Sequence, residues 1–143
     1  MSSSEADSLT STYLELRDDG SVEAIPLTPD FWPALMAGKR RLDGRLLMAF
    51  EATEDMTHWE KHPAGDEVLL VLSGSVRLLL QEPAGERAIA VAAGQAAIIP
   101  RGCWHRIAVR EPGQVVLMTA GEGTEHKPVE SASPLGQSEP DPK

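Results

Sequence analysis

From Arg45 to Thr119 the chain repeats one pattern, a short apolar or alternating run followed by a cluster of Gly, Pro, Asp or Ser. The runs are Leu46–Glu51, Thr57–His62, Val68–Leu72, Val76–Gln81, Ala88–Val91, Ala96–Ile99, His105–Val109 and Val115–Thr119. Turn signals separate them at Ser73-Gly74-Ser75, Pro83-Ala84-Gly85, Ala93-Gly94-Gln95 and Glu111-Pro112-Gly113. Short strands at regular spacing with Gly and Pro between them predict an all-β sandwich or barrel. Upstream, Tyr13–Arg17 reads as a further strand, ended by Asp18-Asp19-Gly20. Pro29 and Asp30 resemble a helix start and Gly38 a stop, so one or two helical turns are expected there. Phe31, Trp32 and Met36 would pack those turns over the barrel or against a partner.

The flanks lack this pattern. Residues 1–11 are Ser-rich and are expected to be disordered. Residues 12–126 are read as one barrel domain with an N-terminal arm, with the chemistry-bearing stretches at 58–109. The segment Glu122–His126 is expected to fold back on the sheet, and 127–143, rich in Pro, Ser and acid, to be a disordered tail.

Composition narrows the function classes. The 143 residues suit a single domain, and 41% hydrophobic residues suffice for a core. The net charge of -9 argues against nucleic acid or an anionic membrane as partner. One cysteine, Cys103, precludes an intrachain disulfide. No apolar run approaches the roughly 20 residues of a spanning helix. The polar, acidic start does not resemble a signal peptide, and the expected location is cytoplasmic.

Candidate chemistry is concentrated in His58-Trp59-Glu60-Lys61-His62-Pro63-Ala64-Gly65-Asp66-Glu67, which holds two imidazoles and three carboxylates ahead of an apolar strand. Strand alternation puts His58, Glu60 and His62 on one face and Trp59 and Lys61 on the other. Glu67 opens the next strand and can return beside His62, whereas His105 must arrive from elsewhere in the fold. Imidazole and carboxylate donors in a mostly apolar cavity suit a divalent first-row metal, with iron, manganese, nickel or zinc all compatible. Gly65, Gly74, Gly94 and Gly102 read as turn glycines, since no Gly-rich loop enters a helix. No nucleophile elbow supports a Ser-His-Asp triad.

These stretches resemble the two motifs of the cupins. In G-x5-H-x-H-x3–4-E-x6-G, His62, Glu67 and Gly74 fall at the required spacing, and Glu60 stands where the first histidine is expected. In G-x5-P-x-G-x2-H-x3-N, Gly94, Pro100, Gly102 and His105 match, and Val109 replaces the final Asn. The resemblance implies a double-stranded β-helix, or jelly-roll, barrel. It also implies metal-ligand roles for His62, Glu67 and His105, with Glu60 at the fourth place. Such arms often complete a homodimer in this family. The implied function is binding of a small organic ligand at the metal, with catalysis as a dioxygenase or isomerase one form of it. In that form Glu60 or Glu67, when not coordinating, would serve as the base. The rival is a non-enzymatic sensing or structural module with an empty site.

The remaining residues have plainer readings. His58 is expected at the barrel rim and His126 in the tail or at a sheet edge. Cys103, two residues before His105, is expected to face the cavity as a small buried thiol. Met48, Phe50 and Met118 are expected among the cavity lining, subject to register. Trp59 and Trp104 are expected as core or dimer-interface anchors.

Overall fold

The structure, a computed structural model, describes residues 5–130. It is built from β1 (Thr12–Arg17), β2 (Val22–Pro26), α1 (Phe31–Met36), β3 (Gly44–Ala52), β4 (His58–Lys61), β5 (Glu67–Val71), β6 (Ser75–Glu82), β7 (Gly85–Ala92), β8 (Ala96–Ile99), β9 (His105–Glu111), β10 (Gly113–Thr119) and β11 (Glu125–Pro128). All pairings are antiparallel and form two sheets, one ordered β2-β1-β3-β10-β5-β8 and the other β11-β4-β9-β6-β7. Consecutive strands often lie in different sheets, the crossing pattern of a jelly roll. Among the described residues no helix is long and apolar enough to cross a membrane.

Each expected strand of the central region is present. β2 was not expected. Only Ile25 of its five residues is buried, and it pairs solely with β1 at the sheet edge, so its sequence carries little alternation. Of the flanks expected to be disordered, residues 1–4 and 131–143 lie outside the described residues, and the described parts carry contacts to the barrel. The Ala49 amide donates to the Leu9 carbonyl at 3.1 Å, which ties residues before β1 to β3. Lys127 and Pro128 extend β11 past the boundary at 126, held by pairing to Trp59 and His58.

The core lies between the sheets in two clusters. Leu69, Val71, Leu78, Leu80, Ile99 and Val115 fill one end, each at most 1% exposed. Tyr13, Phe31, Leu35, Leu46 and Met48 fill the other, and Leu117 packs against both clusters. Burying one such side chain contributes about 1.5–3 kcal/mol. α1 lies over its own barrel: Phe31 and Leu35 are buried, and the Trp32 indole donates to the Tyr13 hydroxyl at 3.2 Å. Met36 alone of the three large arm residues stays 52% exposed.

The outer face of the six-stranded sheet is also apolar. Register aligns Ala24, Leu14, Leu47, Met118, Val68 and Ile98 in one row across all six strands. Ile98 is 67% exposed. Met118 therefore does not line the cavity as expected: its cross-strand neighbours Leu47 and Val68 share its outward side, while Leu117 and Thr119 point inward.

The turn at Gly74 needs glycine. Its φ is +77°, and a Cβ there would lie 2.5 Å from the Glu111 carbonyl oxygen.

Candidate metal centre

Glu60 projects inward from the middle of β4. Trp59 and Lys61 turn outward, where the Arg106 guanidinium lies 5.2 Å from the Trp59 ring centre. The Lys61 and Lys127 ammonium groups lie 4.8 and 4.5 Å from the Trp104 ring centre on the same outer side. His62 follows β4, and the turn at Pro63–Gly65 leads into Glu67 at the start of β5. The loop before His105 is fastened to this turn. The Gly102 amide donates to the His62 carbonyl at 3.1 Å, and the Arg101 amide donates to Asp66 Oδ1 at 2.8 Å. Asp66 thus serves as a backbone acceptor that brings the two motifs together.

His62, Glu67 and His105 are all at most 4% exposed. Glu67 Oε1 lies 3.4 Å from His62 Nε2 and 3.0 Å from His105 Nε2. Glu60 Oε1 lies 3.6 Å from His62 Nε2. One donor atom each from Glu60, His62 and His105 falls within a mutual 4.8 Å. The other ends of these groups are held. His62 Nδ1 lies 2.8 Å from Thr124 Oγ1, which itself donates to the Gly121 carbonyl at 2.6 Å. His105 Nδ1 lies 3.1 Å from the Cys103 carbonyl. The Thr119 hydroxyl donates to Glu67 Oε2 in a short hydrogen bond.

These contacts fix the tautomers. A carbonyl only accepts, so His105 Nδ1 carries a proton. The Thr124 proton is already given to Gly121, so His62 Nδ1 also donates. In the neutral rings, therefore, both Nε2 atoms present lone pairs toward Glu67 Oε1. Among the described residues His62 Nε2 and Glu67 Oε1 have no hydrogen-bond partner. Three electron-rich atoms meet in a buried space, which requires a proton or a cation between them. Two donors about 2.1 Å from one ion at right angles stand about 3 Å apart, close to the spacings observed here. Histidines with the remote nitrogen tied to an oxygen acceptor are the usual arrangement of metal-bound imidazole. The donor set fits a divalent first-row metal.

Without a metal, protons serve instead. Burial alone would lower the His62 pKa, but the Glu60 and Glu67 carboxylates outweigh it and raise it to about 9. Burial would likewise favour a neutral Glu67; the His105 and His62 rings outweigh it and hold its pKa down at about 2. Glu60 is shifted below its ordinary range, because His62 overcomes the effect of burial.

Glu60, His62 and Glu67 of this cluster line a cavity of about 300 Å³. Tyr13, Trp32, Met36 and Met48 supply its apolar wall, and Thr119, Thr124 and His126 complete the polar part. A larger depression of about 650 Å³, lined by Arg17, Asp43, Arg45 and Glu122 among others, lies elsewhere and contains none of the four expected ligands.

Residues 46–128 match the Cupin domain family, more than half of the chain. The chain is a cupin. Similar solved structures include a cupin-2 domain containing protein from Shewanella frigidimarina, at 19% identity and a TM-score of 0.46 over 56% of this chain and 74% of that one. Another is hydroquinone 1,2-dioxygenase from Sphingomonas sp. TTNP3, at 17% identity and a TM-score of 0.45 over 54% and 60%. A third is Bacillus subtilis oxalate decarboxylase, at 17% and 0.47 over 59% and 23%. At these identities the likeness concerns the fold alone. No curated protein matches the chain.

This cupin gathers His62, Glu67, His105 and Glu60 as its motifs imply, and it separates the other expected residues. Met48 lines the cavity. Phe50 packs against the distal core instead of the cavity, two residues further along β3. Cys103 does not face the cavity: its thiol lies 3.4 Å from the Gln81 carbonyl and lines a separate groove with Pro83 and Pro100. The loop ahead of β9 is irregular, so alternation does not extend back to it from His105. His58 is exposed and paired with Thr57 at 3.0 Å. His126 does sit on an edge strand, but it also lines the cavity. Thr119, Thr124 and His126 are the cavity's additional polar residues. Their only sequence signal was the Gly121-Glu122-Gly123-Thr124-Glu125-His126 segment, whose alternation puts Thr124 and His126 on one side.

Proposed function

We propose that this cupin binds a divalent first-row transition metal through His62, Glu67, His105 and Glu60, and presents it to a small organic ligand in the adjoining cavity. The observation that carries the reading is the convergence of His62 Nε2, His105 Nε2 and Glu67 Oε1 within 3.0–3.4 Å, with both Nδ1 protons already committed to oxygen acceptors. When bound, the metal supplies Lewis acidity or a site for O2, the basis of dioxygenase or isomerase chemistry. The protein's part is orientation. Thr124 and the Cys103 carbonyl aim the rings, Thr119 fixes Glu67, and Tyr13, Trp32 and Met48 form a wall that limits water and accepts an apolar part of the ligand. Of the two carboxylates considered as base, Glu67 is 2% exposed and the Glu60 side chain 30%, so Glu60 is the one more open to a ligand.

Metal analysis of the purified protein tests the reading. Growth with added iron, manganese, nickel or zinc is expected to give roughly one ion per chain, and His62→Ala and His105→Ala to abolish it. Less than about one-tenth ion per wild-type chain overturns it. That outcome would favour the second reading, a metal-free binding module whose floor is closed by a protonated His62 between Glu60 and Glu67, as its raised pKa of about 9 permits.

We propose further that a second copy of the chain covers the outer face of the six-stranded sheet, giving a homodimer through that face and not through α1. Six strands span about 24 Å at roughly 4.8 Å each, an apolar width of the order that recurs in sheet-on-sheet interfaces. Arg45 and Glu51 stand exposed at opposite ends of β3, at the register positions of this face. A two-fold axis across the strands would put each Arg45 over Glu51 of the second copy, so two chains of net charge -9 meet where their charges match.

A further inference from the structure

In β4 the position expected to hold a histidine holds Glu60, and the structure places a third imidazole beside it. Register pairs Glu60 with His105 of β9 on one side and with His126 of β11 on the other. The three side chains form one inward row, in which direct cross-strand neighbours have Cβ atoms about 4.5–5.5 Å apart. His126 Nε2 lies 3.2 Å from Glu60 Oε2, while Glu60 Oε1 lies 3.6 Å from His62 Nε2. Each carboxylate oxygen therefore has its own direction, one to the edge strand and one to the metal cluster.

A glutamate in place of a histidine has a mechanical drawback. It has one more rotatable bond, and its side chain is 30% exposed, so water competes for it. Ordering such a chain costs more conformational entropy than ordering a ring. His126 offsets that cost by accepting one rotamer of Glu60 and excluding the others. His126 does not replace the missing ligand itself: its Nε2 faces Glu60 Oε2, whereas the close approaches at the centre of the cluster are those of His62 Nε2 and His105 Nε2 to Glu67 Oε1.

We propose that His126 is a positioning residue: its Nε2–H holds Glu60 Oε2 so that Glu60 Oε1 is presented as the outermost metal donor. The inference rests on the metal reading above. Glu60 and His126 then form one functional unit drawn from two strands, and together they replace the histidine that the motif leads one to expect.

The test measures affinity for Mn(II) and Zn(II), by competition with a chelating indicator, in wild type, His126→Ala, His126→Gln, Glu60→His and the double variant Glu60→His/His126→Ala. Losing a hydrogen-bond partner of a ligand commonly weakens binding by about 10- to 100-fold, and that loss is expected for His126→Ala. His126→Gln, which keeps an N–H donor, is expected to recover most of it. With a ring at position 60 the support is no longer needed, so His126→Ala is expected to change the affinity of Glu60→His by less than about twofold. An equal loss in both backgrounds would show a merely structural role for His126 and overturn the proposal, as would no loss in the wild-type background. A wild-type chain that binds neither ion overturns the metal reading itself, and is recognisable because no variant is needed to see it.

Discussion

Thr124 Oγ1 stands 2.8 Å from His62 Nδ1 and donates its own hydrogen bond to the Gly121 carbonyl. This relay makes the hydroxyl an acceptor, so the histidine keeps a lone pair on the nitrogen that faces Glu67. Thr124→Val preserves shape and removes the acceptor. The buried Nδ1–H then lacks a partner, at a cost of about 1–3 kcal/mol. The expected outcomes are a lower melting temperature and a metal affinity reduced by about 10- to 100-fold, measured by thermal denaturation and metal competition. Unchanged affinity would remove Thr124 from the site.

Glu67→Gln tests the centre of the cluster. The substitution keeps volume and removes the charge that both rings face. Metal content is expected to fall below about one-tenth ion per chain. In the metal-free variant the His62 titration, followed by NMR, is expected to move from about 9 toward its ordinary 6.5, because Glu67 is one of the two carboxylates that raise it. A titration that stays near 9 would assign the shift to Glu60 alone.

The metal-free chain should have a bounded window of stability. His62 has its folded pKa raised from 6.5 to about 9, so its contribution is whole below 6.5 and lost as pH rises through 9. Glu67 has its folded pKa lowered from 4.5 to about 2, so its contribution is whole above 4.5 and lost as pH falls through 2. Stability from this cluster is therefore expected to peak between pH 4.5 and 6.5. A bound metal replaces the proton on His62, and the alkaline loss should then disappear. Urea denaturation across pH, with and without Mn(II) or Zn(II), checks both statements. Metal-free stability that rises between pH 6.5 and 9 would contradict the assignment.

Met118→Glu tests the outer face. Met118 lies near the middle of the apolar row, between Leu47 and Val68. A charge there is expected to convert the dimer to monomer in analytical ultracentrifugation while leaving metal content unchanged. A wild-type chain that sediments as a monomer would exclude the second copy as occupant of this face.

The central strands could be read from sequence because hydrophobic runs and turn residues alternate there with little ambiguity. The four inward donors followed from motif spacing, which depends only on turns of fixed length. Met118 faces outward, against the expectation from sequence, for a physical reason. Val115, Val116, Leu117 and Met118 are all apolar because both faces of β10 are apolar, so periodicity carries no register. β2 was overlooked because an edge strand with one buried residue leaves almost no pattern. Thr124 and His126 lie in a segment whose Gly-rich, acidic composition resembles a tail, and their strand is recognisable only through its pairing with β4.

β11 closes the described fold, and it pairs with β4 alone. The proposed ligands come from β4, the turn after it, β5 and β9, yet their alignment is governed from beyond residue 120, by Thr124 and His126, 62 and 66 positions from the groups they hold. Fraying of that four-residue edge strand would leave every proposed ligand in place, release the His126 contact to Glu60, and loosen the segment that carries Thr124 immediately before it. In the proposed site, metal affinity would therefore be coupled to the local opening of a single strand, and it is expected to decline with temperature before the barrel itself unfolds.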